Sequence, residues 1–399
     1  MPIFACMKKI LILFFAFLSV LSVSAAGDLK VRVACGPYIQ NPSTDSFTVV
    51  WESTMPAVAW VEVAPDDGTH FYNADRRKYY ELSAHGNQVI SRFHKISVDG
   101  LAPGSRYRYR LMMKGVTEFT GPGNVKYTPT WGSDVYQKAP YATGTVAKSY
   151  DTLRFDVYND IHQQDSVLNL LMCASSRKKD FVVFNGDMVS SLAWKEKIPD
   201  TFLRTGAANL GGDTPLYCLR GNHELRGTDT QRWFDWFSYP CGEPYWTAAW
   251  GKFFFIFLDT LEDKPDNDIE YNGTMLSEPY MLRQAEWLRE VVNSEACRKA
   301  AVRVVIGHIP PKTKGWYGNR KVDELFVPIL NKAGISLMIC GHEHRWRVDA
   351  EGSESSAKFP VLVNANLERL EVSLDARNIS LSAFDAQGNN THNYKVKTR

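Results

Sequence analysis

The sequence predicts a multidomain α+β protein in which an N-terminal β-sandwich precedes a larger α/β domain. Residues 30–128 contain short β-branched and aromatic runs separated by turn residues, which is typical of strands. After residue 151, apolar runs of strand length alternate with helical stretches, which indicates a mixed sheet covered by helices. The 399 residues fit two or three domains, and 44% hydrophobic with 23% charged residues excludes a largely disordered or fibrous chain.

The first 26 residues have the pattern of a secretory signal peptide. Two lysines precede an apolar run over 10–23, and the small residues Ser24, Ala25 and Ala26 follow it. A transmembrane anchor is the alternative, but the run is shorter than the roughly 20 residues that a spanning helix needs. We therefore expect cleavage after Ala26 and a secreted or periplasmic protein that has no membrane segment once it is cleaved.

Removal of residues 1–26 leaves a chain with no net charge. The full chain has 46 basic and 44 acidic residues, and the removed segment contains only Lys8 and Lys9, so 44 of each sign remain. A neutral chain gives no signal for a specific nucleic-acid partner. The cysteines show no paired spacing, so no disulfide is predicted. The sequence also gives no indication of the oligomeric state.

Residues 29–128 are assigned to the β-sandwich. The motif Leu-x-Pro-Gly-x-x-Tyr at 101–107 resembles the tyrosine corner of fibronectin type III domains, in which the Tyr107 hydroxyl would bond to nearby backbone. Trp51 fits the buried core tryptophan of such domains. A sandwich of this kind could bind a glycan or a protein, but we expect a scaffold packed on its neighbour. The strands are predicted over 46–53, 57–64, 88–98 and 107–113.

Residues 129–150 are rich in Pro, Gly, Thr and Tyr and are predicted to be a linker. Residues 151–399 form the predicted α/β domain, with a helix over 276–300 and closing strands over 362–397. Ligands in such sheets bind beyond the carboxyl ends of the strands, so the chemistry is expected there. The helix assignment depends on the helical spacing of Leu282, Trp287, Leu288 and Val291. The strands are predicted over 153–158, 181–184, 216–219, 253–258, 302–306 and 337–340.

Five loops at the ends of these predicted strands carry Asp, Asn and His. Carboxylate and imidazole together suit Zn, Mn or Fe, whereas an all-oxygen set would suggest Mg or Ca. Three Asp or Asn oxygens and four His nitrogens are too many for one tetrahedral ion and fit two ions that share a carboxylate. Two ions about 3.5–4 Å apart suit in-line displacement at phosphorus. The loops are Asn159-Asp160-Ile161-His162, Asn185-Gly186-Asp187, Gly221-Asn222-His223-Glu224, Gly307-His308 and Gly341-His342-Glu343-His344.

This ordered set resembles the motifs of the calcineurin-like metallophosphoesterase family over residues 160–344. The stretches 284–288, Gln-x-x-Trp-Leu, and 258–260, Leu-Asp-Thr, are similar to further family features. A sandwich ahead of such a domain resembles purple acid phosphatases and related secreted bacterial proteins. The resemblance implies a four-layer α/β/β/α domain and an exported phosphoric ester hydrolase with two divalent or trivalent metal ions, Mn, Fe or Zn.

The resemblance also implies a role for each loop residue. A metal-bridged hydroxide would attack phosphorus, with His223 as the general acid for the leaving group. Asp160 is a further candidate catalytic residue, as the partner that orients His223, and Glu224 would brace its loop rather than react. The implied ligands are Asp160, His162 and His344 on the first ion, Asn222, His308 and His342 on the second, and Asp187 between them.

Two motifs of this sequence differ from those of related phosphatase families, and both differences narrow the expected activity. Ser190 stands where purple acid phosphatases have the tyrosine of Gly-Asp-x-x-Tyr, so no purple charge-transfer colour is expected. The phosphate-binding arginine of the Ser/Thr protein phosphatase motif is absent. We expect a small-molecule or exposed phosphoester, with a phosphomonoester favoured. The alternatives are a phosphodiesterase or nucleotide hydrolase, and a non-catalytic glycan- or protein-binding module.

Two further features have open interpretations. The eight aromatic residues between 233 and 250 could form a stacking wall for a leaving group, although a satellite core is favoured. The cations Arg226, Lys312, Lys314 and Arg345 are candidate phosphate contacts, although each alone is more typical of a solvated surface charge.

Overall fold

The computed structural model describes residues 29–193 and 198–398. The predicted signal peptide lies outside these ranges. None of the helices within them is long and apolar enough to cross a membrane. The six cysteines of the described ranges are free thiols.

The first region consists of eight strands around the predicted core. Strand β2 is the central element, because it pairs antiparallel with β1, β3, β4 and β5. Trp51 is buried in the core, and the Tyr107 hydroxyl accepts the backbone N–H of Ala102 at 2.8 Å, as a tyrosine corner requires. The strands are β1 (Val33–Gln40), β2 (Phe47–Pro65), β3 (Arg77–Tyr80), β4 (Ile90–Val98), β5 (Arg106–Phe119), β6 (Val125–Tyr127), β7 (Trp131–Gly132) and β8 (Tyr141–Gly144).

Two expectations for this region are corrected. The strands predicted over 46–53 and 57–64 are one strand, β2, whose register against β4 shifts between Glu52 and Ala57. Pro56 lies in that shift, where no ladder hydrogen bond from its nitrogen is needed. The segment predicted as a linker contains β7 and β8, and both pair with β5. Strands of two to four residues are too short to show a period in the sequence, which is why they were missed.

The second region contains two six-stranded sheets packed face to face. The first has the order β11-β10-β9-β18-β19-β20, and the second β12-β13-β14-β15-β17-β16. The six strands predicted from apolar runs are all present, with ends that differ by at most one residue, and so are the closing strands. Their bounds are β9 (Leu153–Tyr158), β10 (Phe181–Asn185), β11 (Leu216–Leu219), β12 (Trp246–Trp250), β13 (Phe253–Leu258), β14 (Val302–Gly307), β15 (Leu337–Cys340), β16 (Arg347–Asp349), β17 (Val361–Val363), β18 (Arg369–Leu374), β19 (Asn378–Phe384) and β20 (Asn390–Lys397).

Helices cover the outer faces of both sheets, which gives the four-layer α/β/β/α arrangement. Between the sheets, the Phe155 ring stacks on Phe181 at 4.7 Å and meets Phe255 edge-on at 5.6 Å. Buried residues of α4, α6 and α7 form a separate core with the outer face of the second sheet. The helices are α1 (Asp165–Cys173), α2 (Arg204–Leu210), α3 (Trp233–Trp236), α4 (Ser277–Asn293), α5 (Glu295–Lys299), α6 (Tyr317–Leu325) and α7 (Val327–Leu330).

The single helix predicted over 276–300 is in fact two helices. Ser294 has an extended backbone between α4 and α5, and its hydroxyl caps α5 by accepting the Cys297 N–H at 3.2 Å. Leu282, which was assigned to the apolar face, is exposed. The other three predicted residues do face the core: Leu288 is buried, and Trp287 and Val291 pack against the same cluster, on a buried face that also contains Met281 and Gln284.

The aromatic stretch of residues 233–250 is core, as favoured, and it joins the two regions. The Trp236 indole donates to the Glu52 carboxylate at 3.3 Å and meets the Phe93 ring at 4.8 Å. The Tyr38 hydroxyl donates to the Trp236 carbonyl. The sandwich and the α/β domain therefore share a buried interface built around Trp236.

Candidate metal centre

The predicted site loops converge at the carboxyl ends of parallel strands in the two sheets. They bring together three overlapping groups of side chains, and the possible ligand atoms of each group lie within 4.8 Å of one another. Each group combines carboxylate and imidazole, which are ligands suited to Zn, Mn or Fe. The groups are Asp160 with His162 and His344, His162 with Asp187 and His223, and Asp187 with His308 and His342.

Most of the predicted ligands have an unusual backbone conformation. A positive φ is uncommon for residues other than glycine and costs about 1–3 kcal/mol when the surroundings enforce it. Such residues cluster where a side chain must be aimed at a functional site. Five of the seven predicted ligands share this feature: Asp160 (54°), His162 (46°), Asp187 (52°), His342 (74°) and His344 (54°).

Glycines allow these loops to pack against the carboxylates. A Cβ atom at Gly221 would lie 2.2 Å from Oδ1 of Asp187, and one at Gly341 would lie 2.6 Å from Oδ2 of Asp160. Both distances are far below van der Waals contact. The glycines of the Gly-Asn-His-Glu and Gly-His-x-His motifs are therefore needed for the close approach of the loops, not only for their turns.

The distances between donor atoms fit metal coordination. Nε2 of His162 lies 3.0 Å from Nε2 of His344, and Nδ1 of His342 lies 3.0 Å from Oδ1 of Asn222. Oδ2 of Asp187 lies 3.1 Å from Nε2 of His308. Ligands at about 2.1 Å from one ion and at right angles to each other are separated by about 3 Å.

Two buried atoms at the centre lack partners that a cation would supply. Oδ1 of Asp160 and Nε2 of His308 are buried and make no well-aligned hydrogen bond among the described residues, although each lies within 3.1–3.2 Å of a neighbouring candidate ligand atom. Leaving such a group unpaired costs about 1–3 kcal/mol. A positive ion between these atoms would satisfy both, so the residues present fit the metal centre predicted from the sequence.

The electrostatics of the centre also favour a cation. Burial lowers the pKa of His308, but the carboxylates of Asp187 and Asp160 outweigh burial and raise that pKa to about 10. Burial and the neighbouring His308 lower the pKa of His342 to about 4. The paired carboxylates thus hold a positive charge on one imidazole, in the place where a metal ion would provide it.

Main-chain carbonyls fix the orientation of two histidine rings. Nδ1 of His308 lies 2.8 Å from the Asn185 carbonyl, and Nδ1 of His223 lies 2.7 Å from the Ser190 carbonyl. A carbonyl only accepts hydrogen bonds, so each Nδ1 carries a hydrogen and donates it. Nε2 of each ring is therefore left to face the centre.

The expected pairing of Asp160 with His223 is not found. The His223 ring instead contacts the Ser190 carbonyl, and its Nε2 lies 3.8 Å from Oδ2 of Asp187. Asp160 uses Oδ2 to accept the His342 N–H at 2.8 Å, and its Oδ1 lies 3.2 Å from Nε2 of His344. The short Asp-x-His loop directs Asp160 toward the centre and away from His223.

Glu224 braces the loops around Asp187, as expected. Its buried carboxylate accepts the backbone N–H groups of Gly221 at 2.7 Å, Asp187 at 2.9 Å, Met188 at 2.8 Å and Val189 at 3.2 Å. Burial and the nearby Asp187 carboxylate raise the pKa of Glu224 to about 7. One side chain thus ties the Gly-Asp loop to the Gly-Asn-His-Glu loop.

Two asparagines hold Asp160, and only one of them, Asn159, lies in a loop predicted from the sequence. Nδ2 of Asn159 donates to Oδ2 of Asp160 at 2.7 Å, and Nδ2 of Asn364 donates to Oδ1 of Asn159 at 2.8 Å. Asn364 directly follows β17, so its place after an apolar run was a usable signal.

A second buried network explains the Gln-x-x-Trp-Leu motif. Oε1 of Gln284 accepts the Asp259 N–H at 3.0 Å, and Nε2 of Gln284 donates to the Asp259 carbonyl at 2.7 Å. The Arg220 guanidinium pairs with the Asp259 carboxylate in the interior. Gln284 thereby fixes the backbone at the end of β13, next to the strand that leads to His308.

Four of the seven candidate ligands, Asp187, Asn222, His342 and His344, line an open cleft of about 670 Å³, together with His223. The four candidate phosphate contacts all reach this cleft, but three of them are paired with carboxylates. Arg226 pairs with Glu262 and Asp263, whereas Lys312 and Arg345 pair with Glu343. Lys314 is exposed and has no carboxylate partner within the described part of the chain.

The same segment matches a known family in sequence. Residues 153–346 match the model described as calcineurin-like phosphoesterase. The chain therefore contains a calcineurin-like phosphoesterase domain. Proteins of this family normally bind two metal ions. The phosphoesterase domain is accordingly that of a metal-dependent enzyme, and the non-catalytic alternative is set aside.

Two solved structures share the fold over most of the chain. A purple acid phosphatase, PPD1 from yellow lupin (Lupinus luteus) seeds, superposes with a TM-score of 0.60 at 12% identity, covering 90% of this chain and 74% of that one. PhoD superposes with a TM-score of 0.59 at 13% identity, covering 92% of this chain and 90% of that one. Both therefore share the β-rich region followed by the phosphoesterase domain. No curated protein matches the chain in sequence.

Proposed function

We propose that the protein is an exported phosphomonoesterase with a two-metal centre. The observation that carries the proposal is a chain of three overlapping ligand groups, two of which contain Asp187, a residue in the wall of a cleft. In this proposal Asp187 would be a ligand of both ions. Asp160, His162 and His344 would hold the first ion, and Asn222, His308 and His342 would hold the second.

Two ions in this centre would polarise the phosphoryl group and supply a nucleophile from water near neutral pH. The chain's own contribution is to hold the donor atoms in place. The carbonyl of Asn185 orients His308, and the N–H of His342 orients Asp160. Asn159, Asn364 and Glu224 hold the carboxylates of Asp160 and Asp187 in position. The site therefore needs no reorganisation during the reaction.

We assign the general acid to His223. Its Nδ1–H is bound to the Ser190 carbonyl, so a proton transferred to substrate leaves from Nε2. The ring is partly exposed and lies in the wall of the cleft. As an imidazolium, His223 would donate from Nε2 to the departing oxygen, which completes the ester cleavage.

The cations of the cleft support a monoester over a diester. Arg226, Lys264, Lys312, Lys314 and Arg345 line the cleft together with fewer carboxylates. A phosphomonoester carries up to two negative charges near neutral pH, whereas a diester carries one. Four of these cations pair with carboxylates, but Lys314 has no carboxylate partner within the described residues, and this uncompensated charge favours the more highly charged substrate.

The test is hydrolysis by the purified protein after reloading with Mn, Fe or Zn. We expect a phosphomonoester such as phenyl phosphate to be cleaved faster than a matched diester. Asp187→Asn should lower the rate at least about a hundredfold, because it weakens a carboxylate that both ions would share. The exposed Asp151→Asn is the matched control and should leave the rate unchanged. Absence of hydrolysis after reloading contradicts the proposal. Faster cleavage of the diester than of the monoester would instead support the phosphodiesterase alternative.

Export and domain organisation are part of the same proposal. The basic, apolar and small-residue pattern of residues 8–26 supports a cleaved signal peptide, with the mature chain starting at Gly27. The buried interface around Trp236 supports a scaffold role for the sandwich. Sequencing the N-terminus of the exported protein tests the cleavage, and recovery of an uncleaved cytoplasmic chain contradicts it.

A further inference from the structure

We infer that Trp316 is a stacking platform which selects phosphoesters whose organic group contains a flat aromatic ring. This inference rests on the proposed function and deepens it by naming a substrate class. The observation behind it is that the Trp316 side chain, 64% exposed, lies in the wall of the cleft beside a candidate metal ligand. The Trp316 ring meets the His342 ring nearly edge-on, with centroids 6.1 Å apart.

The backbone that carries this exposed indole is firmly held. Oδ1 of Asn319 accepts the Trp316 N–H at 3.1 Å, and Nδ2 of Asn319 donates to the Pro310 carbonyl at 2.7 Å. The Trp316 carbonyl accepts the Arg320 N–H at 3.1 Å. A Cβ atom at Gly315 would lie 2.6 Å from Cβ of Asn319, so this residue must be a glycine for the loop to pack. The indole is therefore presented by a rigid loop rather than by a free segment.

A rigid, exposed tryptophan is suited to binding. Burying an indole face releases water from a large apolar surface, and stacking on another ring adds about 0.5–1.5 kcal/mol. A fixed platform avoids most of the ordering cost that a flexible loop would incur on binding. The indole face lies within reach of a ligand whose phosphoryl group contacts the centre at His342, because the two rings are neighbours.

The charge next to the platform fits the same class of ligand. Lys314 precedes Trp316 on the held loop, is exposed, and has no carboxylate partner within 29–193 and 198–398. The loop thus presents one uncompensated cation and one aromatic face on the same side of the cleft. A phosphoryl group with an attached aromatic ring matches both, whereas an alkyl phosphate matches only the cation.

The test compares two non-hydrolysable ligands, phenylphosphonate and methylphosphonate, by calorimetric titration of the metal-loaded protein. We expect the unmodified chain to bind phenylphosphonate more tightly. Trp316→Ala should reduce the ratio of the two affinities by about three- to tenfold, and Trp316→Phe should largely retain it. Phe119→Ala removes an equally exposed aromatic residue of the sandwich and should leave the ratio unchanged.

An affinity ratio that stays the same in Trp316→Ala overturns this inference, as does equal or absent binding of the two ligands by the unmodified chain. Binding is measured without turnover, so this outcome is separate from failure of the proposed function. If the protein hydrolyses phosphoesters but Trp316→Ala leaves the affinity ratio unchanged, the proposed function stands and the stacking platform is wrong. If Trp316→Ala lowers the affinity ratio but the protein hydrolyses no phosphoester, the platform stands and the proposed function is wrong.

Discussion

Oε2 of Glu224 accepts the backbone N–H of Asp187 at 2.9 Å, so the residue at the middle of the metal centre is held from behind by a buried carboxylate. The same carboxylate accepts three further N–H groups from two loops. All four partners are donors, and only a group with two accepting oxygens satisfies them. The position of Asp187 therefore depends on a side chain that does not itself face the cleft.

Glu224→Gln should weaken metal binding without removing a predicted ligand. The amide NH₂ would face backbone N–H groups, so part of the buried network would be left unpaired at about 1–3 kcal/mol per group. We expect metal affinity to fall about 10- to 100-fold in a competition assay with a chelator. The exposed Glu290→Gln on α4 is the control. Equal affinity in Glu224→Gln and the unmodified chain would show that Asp187 does not need this support.

Gly221→Ala should disable the centre through sterics alone. The added methyl group would lie 2.2 Å from Oδ1 of Asp187, so either the carboxylate or the loop must move. We expect loss of bound metal on elemental analysis, together with lower thermal stability. Gly144→Ala is the matched control, because its nearest neighbour would be at an ordinary 3.4 Å. Retention of full metal content by Gly221→Ala would mean that the loops are looser than the structure shows.

Trp236→Ala should separate the unfolding of the sandwich from that of the phosphoesterase domain. The indole is buried between them and contacts both Glu52 and Phe93. Its removal should cost about 3–5 kcal/mol, which is typical of a large buried aromatic residue. Differential scanning calorimetry should show one transition for the unmodified chain and two for the variant. Two transitions in the unmodified chain would contradict a cooperative interface.

The sandwich should be less stable in mild acid because His94 is buried. Burial lowers the pKa of His94 from 6.5 to about 4. Between these pH values the unfolded chain binds a proton at His94 and the folded chain does not. The stabilisation is therefore complete above pH 6.5 and is lost as the pH falls from 6.5 toward 4, by about 3 kcal/mol. Urea unfolding in the presence of a chelator should show this loss, and His94→Gln should reduce it.

The matched control for that series is His85→Gln, which alters an exposed histidine of the same region. It should retain the full pH dependence of the unmodified chain. An identical pH dependence in His94→Gln and the unmodified chain would show that the buried imidazole is not its source.

Much of this architecture could be predicted from the sequence because the signals were strong and local. Buried strands such as β9 and β13 are continuous apolar runs, and the polar residues directly after them belong to the centre. The two glycines that approach the carboxylates directly precede predicted ligands in the sequence, Gly221 before Asn222 and Gly341 before His342. The orientation of His223 could not be predicted, because its partner is the main-chain carbonyl of Ser190, which leaves no trace in residue identity.

Other features depend on contacts between distant segments. Asn159 and Asn364 are 205 positions apart, and neither alone marks a network behind Asp160. On α4 the prediction is wrong at Leu282, which is exposed, and it does not include the polar Gln284, which is buried because it binds the backbone of Asp259. Trp316 follows no helical or strand period, and its exposure in the cleft is visible only in three dimensions.

The central claim is that Asp187 joins two metal sites in one centre. The most direct measurement is the number of ions bound per chain in the unmodified protein and in Asp187→Asn, by elemental analysis after reloading and desalting. We predict two ions per chain for the unmodified protein, with a clear reduction in the variant and a parallel loss of hydrolysis. One ion or fewer in the unmodified protein, or two ions retained by Asp187→Asn, would contradict the claim.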